Sequence, residues 1–172
     1  VVSVDAPADP PAGALPLPVT SLIGREQEVR DIGRLLGAHR VVTLLGTGGV
    51  GKTRLSLTAG AQLRERYPDG VWFVELATVP DAGLVAQAVA SAVGLHEDAS
   101  RPPRELLAAA LARRQALLIL DNCEHVVEAC AELVEALLRA CPRLAVLATS
   151  RERLNIPGES TFQVPALGVP DE

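Results

Sequence analysis

A chain of 172 residues, 48% hydrophobic and 22% charged, has the size and mix of one compact domain with enough apolar material for a core. Its net charge of −5 and aromatic content of 2% exclude a segment that itself grips nucleic acid, which calls for clustered cations and stacking rings. Three cysteines, few and odd in number, exclude a disulfide framework and predict a reducing compartment, the cytoplasm.

Residues 1–18 (VVSVDAPADPPAGALPLP) hold five of the 13 prolines and little periodicity, which predicts a stiff linker ahead of a core over residues 19–172. The scattered prolines and the lack of a basic start exclude a secretory signal. No later apolar stretch reaches the length of about 18 residues that a membrane span needs. With no methionine, position 1 included, the chain reads as a segment of a longer protein.

Thr20 or Ser21 is placed to cap a first helix that carries Val29, Ile32, Leu35 and Leu36 on one face. Arg40 to Gly46 (RVVTLLG) predicts a strand buried on both faces, and a helix follows from Gly51 to about Arg66, where Tyr67-Pro68-Asp69-Gly70 supplies turn chemistry. Val71 to Leu76 is a second strand, with Trp72 and Phe73 as core residues. Helices over 81–94 and 103–114 precede a third strand, Ala116 to Asp121. A helix over 124–140, a strand from Leu144 to Ser150 and a short strand from Thr161 to Pro165 complete the series. Strands alternating with helices imply an α/β fold: a parallel sheet covered on both faces.

Residues 46–53, GTGGVGKT, fit the phosphate-loop pattern G-x-x-x-x-G-K-[ST] and lie between a buried strand and a helix, where the chemistry requires them. Gly46, Gly48, Gly49 and Gly51 let the backbone N–H groups around Val50 curl inward on a polyphosphate at the helix N-terminus. Lys52, the single lysine among 16 basic residues, then reaches the outer phosphates, with Arg54 just beyond. Thr53 offers a hydroxyl and Asp121, at the carboxyl end of the third strand, a carboxylate; together they form a hard-oxygen pair for Mg²⁺. Asn122 follows Asp121 and cannot accept a proton. Glu124 has two readings, a water-activating base if the turn aims it back at the phosphates or a helix N-terminal carboxylate answering the dipole, and the second is the simpler. Arg151, at the end of the fourth strand, is either a sensor of the γ-phosphate or a surface arginine in the charged run Arg151-Glu152-Arg153.

Leu22-Ile23-Gly24-Arg25-Glu26, then GTGGVGKT, LLILDNCEH and ATSRERL, in that order, resemble the STAND class of P-loop NTPases. Within it the chain is similar to the NB-ARC-like ATPase module of bacterial transcriptional regulators of the SARP and large LuxR types, over residues 19 to about 167. The resemblance implies a three-layer α/β/α fold with a five-stranded sheet in which the strand leading to Arg151 lies between those of the phosphate loop and Asp121. It also implies ATP or ADP and Mg²⁺ as ligands, adenine contacts from Leu22 and Ile23, Arg25 near the nucleotide, and Arg151 as the γ-phosphate sensor. Lys52, Asp121 and Arg151 become the candidate catalytic residues. The expected function is a slow ATPase acting as a switch beside DNA-binding or activation domains and helical repeats, with no membrane contact and the isolated segment a monomer. Two departures qualify this: Asn122 stands where related modules often carry a second acid, and the chain stops before the lid and winged-helix segments.

Two rivals remain. A P-loop phosphotransferase, such as a small-molecule kinase, needs an acceptor pocket and an arginine-bearing lid that the sequence does not locate. An interaction module that binds nucleotide without hydrolysis needs neither. Cys123, Cys130 and Cys141 with His125 fit no closed zinc spacing and are read as buried thiols. Arg101, Arg104, Arg113 and Arg114 are read as a solvated surface.

Overall fold

The computed structural model of the chain describes residues 14–16 and 22–166. In chain order the elements are α1 (Glu26–Ala38), β1 (Val41–Leu45), α2 (Lys52–Gln62), β2 (Val71–Glu75), α3 (Val85–Val93), α4 (Pro103–Leu111), β3 (Ala116–Asp121), α5 (Val127–Ala140), β4 (Leu144–Ser150) and β5 (Glu159–Gln163). The five strands pair in parallel in the order β2-β3-β4-β1-β5. The strand leading to Arg151 therefore lies between those leading to the phosphate loop and to Asp121, as the resemblance implies.

Alternation along the strands sorts the core into two halves. Val42 and Leu44 of β1, Leu117 and Ile119 of β3, and Ala145 and Leu147 of β4 pack under α1 and α2. Their neighbours Val41, Leu118, Leu120 and Val146 pack under α3, α4 and α5. Both faces of β3 and β4 are buried throughout, which is why these runs read as continuously apolar. One cost stands in this core: the Thr43 hydroxyl of β1 is fully buried and has no hydrogen-bond partner.

The boundaries differ from the sequence expectation at several places; α3 starts at Val85 after a 3-10 turn, and β5 spans Glu159–Gln163 rather than 161–165. Thr20 and Ser21 lie outside the described residues, and α1 begins only at Glu26, after a turn in which the Gly24 N–H donates to Glu26 Oε1 at 3.3 Å. Helix α2 ends at Gln62 rather than near Arg66; the next turn closes through shorter-range bonds such as Arg66 N–H to the Leu63 carbonyl, and Arg66 Nη1 reaches across to the Gly33 carbonyl. The 103–114 helix stops at Leu111. Helix α5 starts at Val127, not 124, because Asn122 adopts a left-handed conformation (φ 66°) and Cys123–His125 form a separate 3-10 turn.

A short part of the stretch expected to be a linker packs against the core. Ala14 makes an antiparallel bridge to Trp72 on the edge strand β2, and Leu15 is buried with α2 and β3 side chains. An apolar side chain seated on an otherwise open edge gains burial and blunts that edge. Residues 1–13, 17 and 18 lie outside the described residues. Trp72 is buried as expected, with the Arg114 guanidinium 5.7 Å from its ring centroid, so Arg114 is a cation–π partner rather than purely solvated. Phe73 is only half-buried. Among the described residues no helix is long and apolar enough to cross a membrane.

Candidate functional site

The register of the central strands brings the carboxyl ends of β1, β3 and β4 together, at the sheet edge where open α/β sheets take ligands. Between β1 and α2 the phosphate loop turns through Gly49 (φ 84°) and Gly51 (φ 90°), conformations costly for any other residue. Gly46 and Gly48 answer a different demand, close approach. A Cβ on Gly46 would lie 2.8 Å from Val50 Cγ2, and one on Gly48 2.9 Å from Arg151 Nη2.

Lys52 is only 8% exposed. Its Nζ donates to the carbonyls of Gly46 at 2.7 Å and Thr47 at 2.9 Å, which leaves one of its three N–H donors for a phosphate oxygen. One turn into the site, the Thr53 hydroxyl donates to both Asp121 oxygens, at 2.9 and 3.0 Å. The Thr149 hydroxyl donates to Asp121 Oδ1 at 2.7 Å while accepting the Asn122 N–H at 2.9 Å. Asp121 is thus held by two hydroxyls at the floor of the site, 4% exposed. A carboxylate and a hydroxyl side by side form a hard-oxygen donor set of the kind Mg²⁺ takes.

Above this floor is a cavity of about 390 Å³ whose walls include Gly48, Lys52, Thr53, Asn122, Glu124 and Arg151. Arg54 also lines it. Glu124 is not at the start of α5, where the dipole reading put it; the 3-10 turn places it in the cavity wall. Arg151 Nε lies 3.8 Å from Glu124 Oε1, and the arginine side chain is 65% exposed. The Asn122 amide, turned to donate, meets the Glu124 oxygens at 2.7 and 3.1 Å. The same guanidinium therefore faces the phosphate loop with one edge and a carboxylate with another.

Behind the loop stands Arg25. It is 6% exposed, and its Nη2 donates to the carbonyls of Val50 at 3.2 Å and Pro165 at 3.1 Å, while Nη1 pairs with Glu28 at 3.5 Å. It grips the loop backbone and the chain leaving β5 rather than lining the cavity. Ile23 is 85% exposed, the most exposed large apolar side chain among the described residues.

The sequence did not single out Thr149 as a site residue, although the alternation that puts Ala145 and Leu147 under α2 also turns Thr149 to the Asp121 side. All three cysteines are buried. A hydrogen bond with Cys130, together with burial, pushes the Cys123 thiol well above the ordinary range, and burial raises Cys141. His125 Nε2 lies 3.1 Å from the Val79 carbonyl, pinning the 3-10 turn to the neighbouring loop.

A parallel sheet with this strand order, a phosphate loop entering α2 and a strand-end aspartate held by the loop threonine are the arrangement of a P-loop NTPase fold. The chain matches the AAA domain family model over residues 36–165 and belongs to that family. An uncharacterized protein of Mycobacterium tuberculosis (strain H37Rv) is 40% identical over 154 residues, which is 90% of this chain and 39% of that protein. A second protein of that organism, whose name places it with HTH-type transcriptional regulators, is 47% identical over 138 residues, 80% of this chain and 15% of its own length. The regulatory protein AfsR of Streptomyces griseus is 31% identical over 169 residues, 86% of this chain and 17% of AfsR. Among solved structures, the STAND protein with a tetratricopeptide repeat sensor from Pyrococcus horikoshii superposes with a TM-score of 0.62 at 19% identity, covering 95% of this chain and 26% of that one. The ORC2 protein of Aeropyrum pernix gives a TM-score of 0.59 at 20% identity, over 85% of this chain and 49% of that chain. The chain spans well under half the length of the curated relatives it matches.

Proposed function

We propose that this module binds ATP and ADP with Mg²⁺ in the cavity above Asp121, hydrolyses ATP slowly, and passes its nucleotide state to a transcription-regulating domain in the same protein. The observation that carries the reading is the contact of Thr53 with Asp121 beside Lys52, since it unites a phosphate loop and a strand-end carboxylate in one site. Mg²⁺ would be held by Thr53 and Asp121 and would neutralise charge on the outer phosphates. The loop N–H groups and Lys52 bind the polyphosphate, and Arg151, half free of partners and at the cavity mouth, reads whether a γ-phosphate is present. Arg25 acts on the nucleotide through the loop it grips. Ile23 offers an apolar surface that an adenine ring would cover, which supports ATP over a smaller phosphate ligand.

The names of relatives support the regulatory setting: neighbouring DNA-binding or activation domains and helical repeats would receive the signal in the cytoplasm, with the module itself touching neither nucleic acid nor membrane. Displacement of a fluorescent ADP by ATP, ADP and GTP tests the site. ATP and ADP are expected to compete for it with GTP weaker; displacement by none of the three contradicts the reading.

A further inference from the structure

We infer that Glu124 is the general base of the hydrolytic step, taking the place of the acid that Asn122 cannot supply; the inference rests on the ATP-binding reading above. Three observations converge on it. The left-handed Asn122 ends β3 with a sharp turn, and the 3-10 turn Cys123–His125 that follows is fixed on both sides, by Cys123 Sγ on the Leu120 carbonyl at 3.5 Å and by His125 on Val79. That turn delays α5 to Val127, so the acid in the first turn of the helix is Glu128, and Glu124 is left to face the cavity. Its carboxylate is held there by the Asn122 amide at 2.7 Å and the Arg151 guanidinium at 3.8 Å, which orient it.

The two partners divide the work. Asn122 has no proton-accepting group and serves as a positioning residue that fixes the Glu124 rotamer. Arg151 is shared: its Nη2 lies against Gly48 of the phosphate loop while its Nε faces Glu124. A γ-phosphate in the loop, carrying more charge than one carboxylate, draws the guanidinium toward itself and frees Glu124 to accept a proton from water. In the step, the water oxygen forms a bond to the γ-phosphorus and its proton passes to the Glu124 carboxylate. The bond from phosphorus to the β,γ-bridging oxygen breaks, with the electron pair leaving on ADP. The proton then returns to phosphate or solvent, and the balance is ATP and water giving ADP, inorganic phosphate and a proton.

The test uses the protein at its full natural length with Mg-ATP, measuring phosphate release and nucleotide affinity side by side in wild type, Glu124→Gln and Lys52→Ala. Glu124→Gln keeps size and one acceptor oxygen while removing the proton-accepting carboxylate, so kcat is expected to fall by about 100-fold, in the range of a lost general base, with ATP affinity within about twofold of wild type. Unchanged kcat in Glu124→Gln overturns the inference. So does loss of nucleotide binding in that variant, which marks Glu124 as structural, and so does a wild type that binds ATP yet releases no phosphate. Unimpaired ATP binding by Lys52→Ala instead sinks the binding reading itself, independently of Glu124.

Discussion

The phosphate loop has a back and a front, each guarded by an arginine, and the two are built on opposite terms. Arg25 behind the loop is 6% exposed and spends its guanidinium on two backbone carbonyls and Glu28. Arg151 in front is 65% exposed and has one carboxylate at 3.8 Å. A buried cation tied to three acceptors fixes geometry, because moving it would strand both itself and its acceptors. An exposed cation with donors to spare costs little to redirect, which is what a sensor needs. The same residue type therefore serves as scaffold on one side of Val50 and, in the function proposed above, as detector on the other.

Breaking the back of the loop is expected to have the largest effect. Arg25→Ala removes the link between Val50, Pro165 and Glu28 and is expected to cost about 3 kcal/mol of stability by chemical denaturation, lowering ATP and ADP affinity together. A loss confined to ATP would assign Arg25 to the γ-phosphate and dissolve the contrast. Breaking the front gives the mirror image at smaller scale. Arg151→Gln is expected to weaken ATP by about tenfold, or about 1.4 kcal/mol, with ADP affinity and melting temperature unchanged. Equal losses for both nucleotides would remove Arg151 from its sensing role. The smallest effect sharpens the comparison by changing stability alone. Thr43 lies on the strand that feeds the loop, and Thr43→Val replaces its unpartnered buried hydroxyl with a methyl group. The expected gain is about 1 kcal/mol with neither affinity altered, so that stability and sensing separate.

What the sequence made legible, and what it hid, follows from the range of the interactions. The phosphate loop and Asp121 were readable because glycine conformations, helix entry and strand alternation are local, and the α/β/α layering follows from the same periods. Thr149 was readable by alternation alone, had it been followed one residue further along β4. Arg25 was not, because its acceptors lie 25 and 140 residues away, and no local pattern announces a contact of that separation. Glu124 turned on one backbone angle: a non-glycine residue at φ 66° ends β3 and delays the helix, and asparagine tolerates that conformation without requiring it. Leu15 escaped notice since the short run Leu15-Pro16-Leu17-Pro18 gives no helical periodicity, and only the open edge of β2 shows why Leu15 docks.

Calorimetric titration of Mg-ATP into the wild-type protein and into Lys52→Ala tests the central claim most directly. Lys52 is buried under the loop with two donors on loop carbonyls and a third N–H left over, so its removal strips the proposed phosphate site while the apolar core, in which it takes no part, is kept. The expected result is saturable binding in the wild type that falls by at least about 100-fold in the variant, about 2.7 kcal/mol, with the variant still unfolding in one cooperative transition in the absence of nucleotide. Equal heats in the two proteins, or no heat in either, would contradict it.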